Sequence, residues 1–205
     1  MPSTRISGRP AAVTLTVASP VGALTLAASA GGLAAVLWER DDPRRVPLDL
    51  VGEDAAHPVL REAARQLGEY FAGRRRAFDL PLDFHGTDFQ KRVWTALLRI
   101  PFGETRSYGQ VARQLGDPNL MRAVGAANGR NPISIVAPCH RVVGAAGQLT
   151  GFAGGLAAKA YLLGLEGLGP GPDLFGSPGP PSPKALVRPA GYSAARGTAA
   201  ASSTR

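Results

Sequence analysis

Alternating apolar and polar positions dominate the first forty residues and predict short β-strands. The alternation covers residues 14–17 and 23–27, and a third short run covers residues 33–38. Turn-forming residues separate these runs, with Ser-Pro-Val-Gly at residues 19–22 and a Gly-Gly pair at 31–32. Short strands joined by tight turns are typical of an antiparallel meander, so we expect an antiparallel sheet here.

The pattern becomes helical after a charged stretch, residues 39–54, that we interpret as a loop. Pro58 suits the first turn of a helix, and Gly73 is a typical signal for its end. Between them, apolar residues recur every three or four positions, which places them on one helix face. The residues of this predicted buried stripe are Leu60, Ala64, Leu67 and Phe71.

Helix signals also organise the second half of the chain. Thr87 with Gln90 and Ser107 with Gln110 have the spacing of capping boxes, in which two side chains bond the backbone at a helix start. A short helix after Ser107, a four-residue turn and another helix over about residues 119–128 match a helix-turn-helix. The second of these helices is rich in Ala and Gly, which suits either close approach to a nucleic-acid groove or ordinary helix packing.

The boundary between two domains is predicted near Pro81 and Gly86. We expect an α+β protein, with an antiparallel sheet domain over residues 1–83 and a mostly helical domain over residues 84–167. Residues 168–205 are rich in Pro, Gly, Ser and Ala and contain few large apolar residues. Such a segment cannot bury enough apolar surface to offset its ordering entropy, so we expect a disordered basic tail.

Charge is unevenly distributed along the 205 residues, whose formal net charge is +8. Residues 1–83 carry ten basic and ten acidic side chains, whereas residues 84–167 carry nine against four, and residues 168–205 carry four against one. A basic module attached to a neutral one is typical of proteins that bind a polyanion such as nucleic acid. A basic surface that only keeps the protein soluble is the simpler alternative.

The chain contains a single cysteine, Cys139, and His140 follows it directly. One cysteine excludes an intramolecular disulfide and a thiolate-rich zinc site, and a free thiol fits the reducing cytoplasm. A thiol beside an imidazole is typical of a nucleophile, because the thiolate is the attacking form. From these residues alone, a buried structural cysteine and a cysteine hydrolase remain alternatives. We expect no signal peptide and no membrane span, because the start is polar and no apolar run is long enough.

Four segments of the second half resemble the motifs of one family, in the same order. They are Ile-Val-Ala-Pro-Cys-His-Arg-Val-Val at 135–143, Ile-Pro-Phe-Gly-Glu-Thr at 100–105, Arg-Ala-Val-Gly-Ala-Ala-Asn at 122–128 and Gly-Phe-Ala-Gly-Gly-Leu at 151–156. In these segments the chain is similar to the O6-alkylguanine-DNA alkyltransferases, also called methylated-DNA–protein-cysteine methyltransferases. The resemblance is dense over residues 84–167 and loose before them. It implies a ribonuclease-H-like N-terminal domain and a C-terminal winged helix-turn-helix domain.

The resemblance implies direct, single-turnover repair of alkylated DNA. Cys139 resembles the nucleophile that takes the alkyl group from O6-alkylguanine, with O4-alkylthymine as a second substrate. His140 is similar to the base that deprotonates the thiol through a water, and Glu166 to the carboxylate that orients this base. Tyr108 resembles the acid that protonates the leaving guanine, and Asn131 the hinge side chain before the cysteine. Without the resemblance, two simpler alternatives remain: Glu166 is a solvated residue at a helix end, and Tyr108 is a partly buried residue after a helix cap.

The resemblance also implies that double-stranded DNA binds through its minor groove, with the alkylated base flipped out. Arg122 resembles the finger that fills the vacated stack, with an ordinary phosphate contact as the alternative. The other DNA-contacting residues implied are Ala123, Tyr108, Arg130 and Arg141. Further candidates for phosphate contacts are Lys91, Arg92 and Arg106. The implied substrate pocket includes Val142, Phe152 and Ala153.

The resemblance implies no cofactor. Some relatives hold a structural zinc in the N-terminal domain with Cys and His ligands, but the only histidines here outside the candidate site are His57 and His85. We therefore predict that there is no metal site. We also expect a monomer that acts in the cytoplasm. The competing hypotheses are a helix-turn-helix DNA-binding regulator without alkyl transfer and a cysteine hydrolase with many turnovers.

Overall fold

The N-terminal half is built around a four-stranded β-sheet. The computed structural model describes residues 9–42 and 44–169, so the expected tail lies, from residue 170 onward, outside the described residues. The strands are β1 (Ala11–Val17), β2 (Leu24–Ser29), β3 (Gly32–Trp38) and β4 (Asp49–Glu53), in the order β3-β2-β1-β4. The antiparallel meander of β1 to β3 is confirmed.

Strand β4 corrects the prediction of a loop over residues 39–54. It pairs with β1 in parallel, so the sheet is mixed rather than purely antiparallel. Its side chains are mostly exposed, with Leu50 at 51% and Val51 at 63%. The strand is therefore held by backbone pairing at the sheet edge, and it has no buried alternating face that a sequence pattern could reveal.

Helix α1 (Pro58–Phe71) covers one face of the sheet and begins at the predicted proline. Its buried apolar residues are Leu60, Ala63, Leu67 and Tyr70. Ala64 and Phe71, which the periodicity assigned to the stripe, are only partly buried. The predicted and the observed buried faces differ by a small rotation about the helix axis. Packing against the sheet determines this rotation, and helical spacing alone does not.

The second half is mostly helical, as expected. It contains α2 (Asp88–Leu97), β5 (Arg106–Ser107), α3 (Tyr108–Gln114), α4 (Met121–Gly129), β6 (Val142–Val143) and α5 (Gly155–Leu165). Both predicted capping boxes are present, at Thr87 for α2 and at Ser107 for α3. Between α3 and α4, Asp117 caps a short 3-10 turn, so α4 begins two residues later than predicted. The connection between α2 and α4 includes a hydrogen bond of 2.8 Å from Trp94 Nε1 to the Ala127 carbonyl.

One apolar core joins the two halves. It combines the sheet and α1 with residues of the second half, namely Ile133, Ile135, Val136, Ala158 and Leu162. The outer edge of β3 also pairs with later segments, because Leu33 donates to the Pro81 carbonyl and Val36 donates to the Pro132 carbonyl. The segment that leads to the cysteine is therefore fixed against the N-terminal sheet.

Within the described ranges, no helix has both the length and the apolar character needed to span a bilayer. The same ranges contain no group of three His, Cys, Asp or Glu side chains arranged to hold a metal ion.

Candidate active site

Cys139 lies at the start of a buried 3-10 turn, Cys139–Arg141, and is 3% exposed. Asn131 braces the segment before it: its Nδ2 donates to the Ala137 carbonyl at 2.8 Å, and its Oδ1 accepts from the Ile133 amide at 3.1 Å. The Cys139 Sγ is 4.0 Å from the Ser134 hydroxyl oxygen. Asn131 thus cross-links the turn that presents the thiol.

Ile135 shows that this segment is held in an unusual conformation. Its φ is +73°, and it is the one non-glycine residue with positive φ in the described ranges. A β-branched side chain disfavours that region, so the surrounding structure must impose it. Ile135 is fully buried in the shared core, which supplies the necessary packing. The sequence carried no signal of this strain.

The structure brings His140 and Glu166 together. His140 Nε2 lies 2.8 Å from Glu166 Oε1, and both side chains are fully buried. Since an ionised carboxylate can only accept, Nε2 carries the imidazole proton and Nδ1 keeps its lone pair. His140 Nδ1 is buried and has no hydrogen-bond partner among the described protein atoms. The imidazole is therefore oriented with a basic nitrogen left for chemistry.

Glu166 is the most heavily hydrogen-bonded carboxylate of the site. Besides His140, it accepts from the Tyr70 hydroxyl at 2.7 Å, from Arg141 Nε at 2.8 Å and from the Gly103 amide at 3.3 Å. Burial alone would raise the pKa of Glu166, but the bonds from His140 and Arg141 outweigh it and lower that pKa to about 2. Glu166 is thus an anion at any physiological pH.

Arg141 does not have the DNA-contacting position that the resemblance implied. Its side chain is 7% exposed and forms an ion pair with Glu166 at 2.8 Å. Its Nη1 also donates to the Ile100 carbonyl at 2.6 Å. These bonds hold the Arg141 guanidinium against Glu166, so Arg141 supports the carboxylate.

Burial acts on the two reacting groups in opposite directions. It raises the pKa of the Cys139 thiol, an effect opposed by hydrogen bonds with Asn131 and Ser134. Burial also lowers the pKa of His140, against the bond to Glu166. Both shifts favour the uncharged forms. At neutral pH the resting site therefore holds a thiol beside a neutral imidazole.

Lys159 is a buried cation of the site that the sequence reading did not identify. Its Nζ donates to the Val142 carbonyl at 2.6 Å and to the Thr150 carbonyl at 2.8 Å, which ties α5 to the strand and loop after the cysteine. Burial lowers its pKa to about 8. The sequence did contain a signal for it, because Lys159 is the one charged residue of the apolar helix α5. A lysine in such a helix is rarely buried unless its ammonium group has hydrogen-bond partners. Tyr70 was missed as well, although a tyrosine on a buried helix face requires a partner for its hydroxyl.

A cavity of about 750 Å³ opens beside this cluster. Tyr108, Phe152 and Ala153 line it, and part of its wall is formed by Arg40, Asp41, Asp42, Arg44 and Arg45. The Tyr108 oxygen accepts a hydrogen bond of 3.0 Å from the Thr150 hydroxyl. Cys139 does not line the cavity itself and lies behind these residues. Val142 is fully buried in β6.

Three of the implied DNA-contacting residues lie on the surface of helix α4 or at its end. Arg122, Ala123 and Arg130 are all exposed. The candidates for phosphate contacts differ: Lys91 lines a separate depression on α2, and Arg106 is paired with Glu104 at 2.7 Å. Arg92 also lies in that depression and donates to the Leu115 carbonyl.

Comparison with known proteins gives consistent matches along the chain. The family described as 6-O-methylguanine DNA methyltransferase, DNA binding domain, matches residues 88–168, and its ribonuclease-like domain matches residues 13–84. A methylated-DNA–protein-cysteine methyltransferase of Methanosarcina acetivorans is 50% identical over 150 residues, covering 73% of this chain and 94% of the relative. One from Mycobacterium tuberculosis is 50% identical over 153 residues, covering 74% and 90%. The crystal structure of Mycobacterium tuberculosis OGT in complex with DNA shares 47% identity at a TM-score of 0.66, covering 77% of this chain and 93% of that chain.

Proposed function

The chain belongs to the family of methylated-DNA–protein-cysteine methyltransferases, and we propose that Cys139 is the residue that accepts the alkyl group. The protein repairs DNA by direct transfer of an alkyl group from a damaged base to its own cysteine. Because the chain has one cysteine, that chemistry leaves a single acceptor. This count is the observation that carries the proposal, and the buried His140–Glu166 pair beside the thiol supports it. A DNA-binding regulator without alkyl transfer is not favoured by the relatives.

The His140–Glu166 pair supports a mechanism in which the thiol loses its proton at the moment of attack. His140 Nδ1 takes the Cys139 proton through a water, and Glu166 stabilises the imidazolium that forms. The sulfur then forms a bond to the alkyl carbon while the bond from that carbon to O6 breaks. The electron pair leaves with the guanine. The product is a thioether, and because its carbon–sulfur bond is stable to thiols and water, each molecule acts once.

Tyr108 is proposed to protonate the departing guanine. The Thr150 hydroxyl donates to its oxygen, so the phenolic proton of Tyr108 remains available for the base. Phe152 provides an aromatic wall for stacking, and Ala153 lies beside it in the cavity. The Val142 carbonyl already accepts from Lys159, so it would read the base with its second lone pair. O4-alkylthymine is a second substrate under the same proposal.

Helix α4 is proposed to enter the minor groove while the alkylated base flips into the cavity. The helix surface bears Arg122 beside small residues, which favours close approach of its backbone to DNA. Flipping costs a few kcal/mol of stacking, and an inserted Arg122 would offset part of it. Exposed Ala123 and Arg130 adjoin the same surface. We further propose that the protein acts as a monomer in the cytoplasm, since one chain supplies every residue of the mechanism.

Intact-mass analysis tests the acceptor. After incubation with a duplex that contains O6-methylguanine, the protein should gain one methyl group in place of one hydrogen, mapped to the peptide of Cys139. Cys139→Ala should abolish this gain and still bind the duplex. A second methyl group, or a methyl group on any other residue, would contradict the proposal. Replacing the lesion with O4-methylthymine tests the second substrate in the same assay.

Arg122→Ala tests the proposal that this side chain fills the space left in the DNA stack by the flipped base. Alkyl transfer from duplex should fall by about tenfold or more, since insertion offsets the cost of flipping, whereas transfer from a free alkylated guanine should be unchanged. Arg61→Ala is the control, because it removes an exposed cation from helix α1, in the half that carries no net charge. If the transfer rate falls equally with duplex and with free base, Arg122 does not act by inserting into the stack.

A further inference from the structure

Three aromatic rings connect the N-terminal sheet to the candidate base. The Trp38 ring, at the end of β3, meets the Phe152 ring edge-on, with centroids 5.3 Å apart and planes at 70°. The Phe152 ring in turn meets the imidazole of His140, with centroids 6.4 Å apart and planes at 78°. Phe152 lines the substrate cavity, whereas Trp38 is 7% exposed and lies behind it.

Gly154 fixes the indole from a second side. A Cβ on Gly154 would lie 2.6 Å from Trp38 Cε3, and its three nearest neighbours are all atoms of that ring. The φ of Gly154 is −79°, which any residue adopts, so the backbone conformation does not require glycine here. The absent side chain instead makes room for the indole. Trp38 therefore contacts the Phe152 loop both at a side chain and at the backbone of the helix start.

The backbone that carries the indole is anchored by side chains of the following loop. The Trp38 amide donates to Asp41 Oδ2 at 3.1 Å, and Asp41 is paired with Arg45, which also donates to the Asn131 carbonyl. Trp38 Nε1 is buried and has no hydrogen-bond partner among the described residues. A buried donor without an acceptor is costly, so the side chain is held there for its shape and not for a hydrogen bond.

We propose that Trp38 is a positioning residue that sets the width of the alkyl pocket by holding Phe152 toward His140. This inference rests on the proposed alkyl transfer to Cys139 and assigns substrate-size selectivity to a residue of the N-terminal half. A side chain without an aromatic ring at position 38 leaves space behind Phe152. The phenyl ring then withdraws from His140, and the pocket accepts bulkier alkyl groups.

Trp38→Leu tests the proposal with two free bases, O6-methylguanine and O6-benzylguanine. The ratio of benzyl to methyl transfer rates should rise by about tenfold, the effect expected when a pocket gains room for a few carbon atoms. Affinity for undamaged duplex should not change. Trp38→Phe should keep the ratio near its wild-type value, because the lost Nε1 has no partner among the described residues and a six-membered ring remains against Phe152.

Gly154→Ala provides an independent test of the same contact. Its Cβ should force the indole against Phe152 and lower the benzyl-to-methyl ratio, and Trp38→Leu in the same chain should relieve this effect. If Trp38→Leu proves unfolded in a thermal melt, the ratio of Gly154→Ala decides. An unchanged ratio in folded Trp38→Leu or folded Gly154→Ala, or additive effects of the two changes, would overturn the proposal. If the wild-type protein itself transfers no methyl group, the proposed function is wrong, whatever the variants show.

Discussion

The ionised carboxylate of Glu166 controls the protonation states of its neighbours at the residue scale. It accepts from a phenol, an imidazole, a guanidinium and a backbone amide, all within 3.3 Å. A buried charge is tolerated only when such partners replace water. Removing the charge should therefore affect both the stability of the fold and the basicity of His140.

Glu166→Gln should destabilise the protein by about 3 kcal/mol at pH 7, because it leaves the Arg141 cation buried without its counter-ion. The folded-state pKa of Glu166 is about 2, below its ordinary 4.5, so its contribution is complete above pH 4.5 and is lost as the pH falls toward 2. Urea unfolding at pH 7 and pH 3 should show the two proteins converging at the lower pH. Glu104→Gln, which breaks the exposed pair with Arg106, is the control and should have little effect.

The pH dependence of alkyl transfer should reflect the neutral thiol–imidazole pair. Burial lowers the pKa of His140, so its basic form persists below the ordinary value of about 6.5. Single-turnover rates should be flat across neutral pH and fall only on the acid side of 6.5. In His140→Ala, the rate should rise steadily with pH, because burial has raised the pKa of Cys139 and no base assists it. An acid limb at or above 6.5 in the wild type would contradict this prediction.

At the scale of elements, a side-chain hydrogen bond joins helix α2 to helix α4. Trp94→Phe removes the donor to the Ala127 carbonyl and should cost about 1–3 kcal/mol of unfolding free energy. Trp38→Phe removes the same atoms from a ring whose Nε1 has no partner, so the difference between the two variants isolates the hydrogen bond. Urea unfolding measures it. Equal losses would show that ring packing, and not the bond to α4, accounts for the cost.

The elements that sequence predicted are those whose causes are local. Thr87 with Gln90 determines a helix start within four residues, and turn residues in the sequence separate the short runs of strands β1 to β3. Strand β4 and the buried face of α1 depend on partners elsewhere in the chain, so local pattern could not give them. The residues of the site show the same difference between local and distant causes. Cys139 and His140 are adjacent and belong to a motif, whereas Tyr70 reaches Glu166 across 96 positions of sequence and only the fold unites them.

The two halves of the molecule depend on each other. The strained Ile135 segment packs in a core built largely from the N-terminal sheet, and the Val36 amide donates to Pro132 just before it. The sheet thus provides the rigid support that keeps the thiol in its turn. The neutral N-terminal half therefore fixes the geometry of the Cys139 turn. The basic second half and the residues after it supply most of the electrostatic attraction to a polyanion.

The basic residues after position 169 should contribute to DNA affinity through charge alone. Residues 170–205 contain four Lys or Arg, so their removal should reduce the slope of log affinity against log salt by up to about 3.6. Transfer from a free alkylated base should not change, because every residue of the mechanism lies before residue 170. A full-length chain with these four cations changed to Gln should match the truncated one. Fluorescence anisotropy on undamaged duplex over a salt series measures both, and an unchanged slope would show that these residues do not contact DNA.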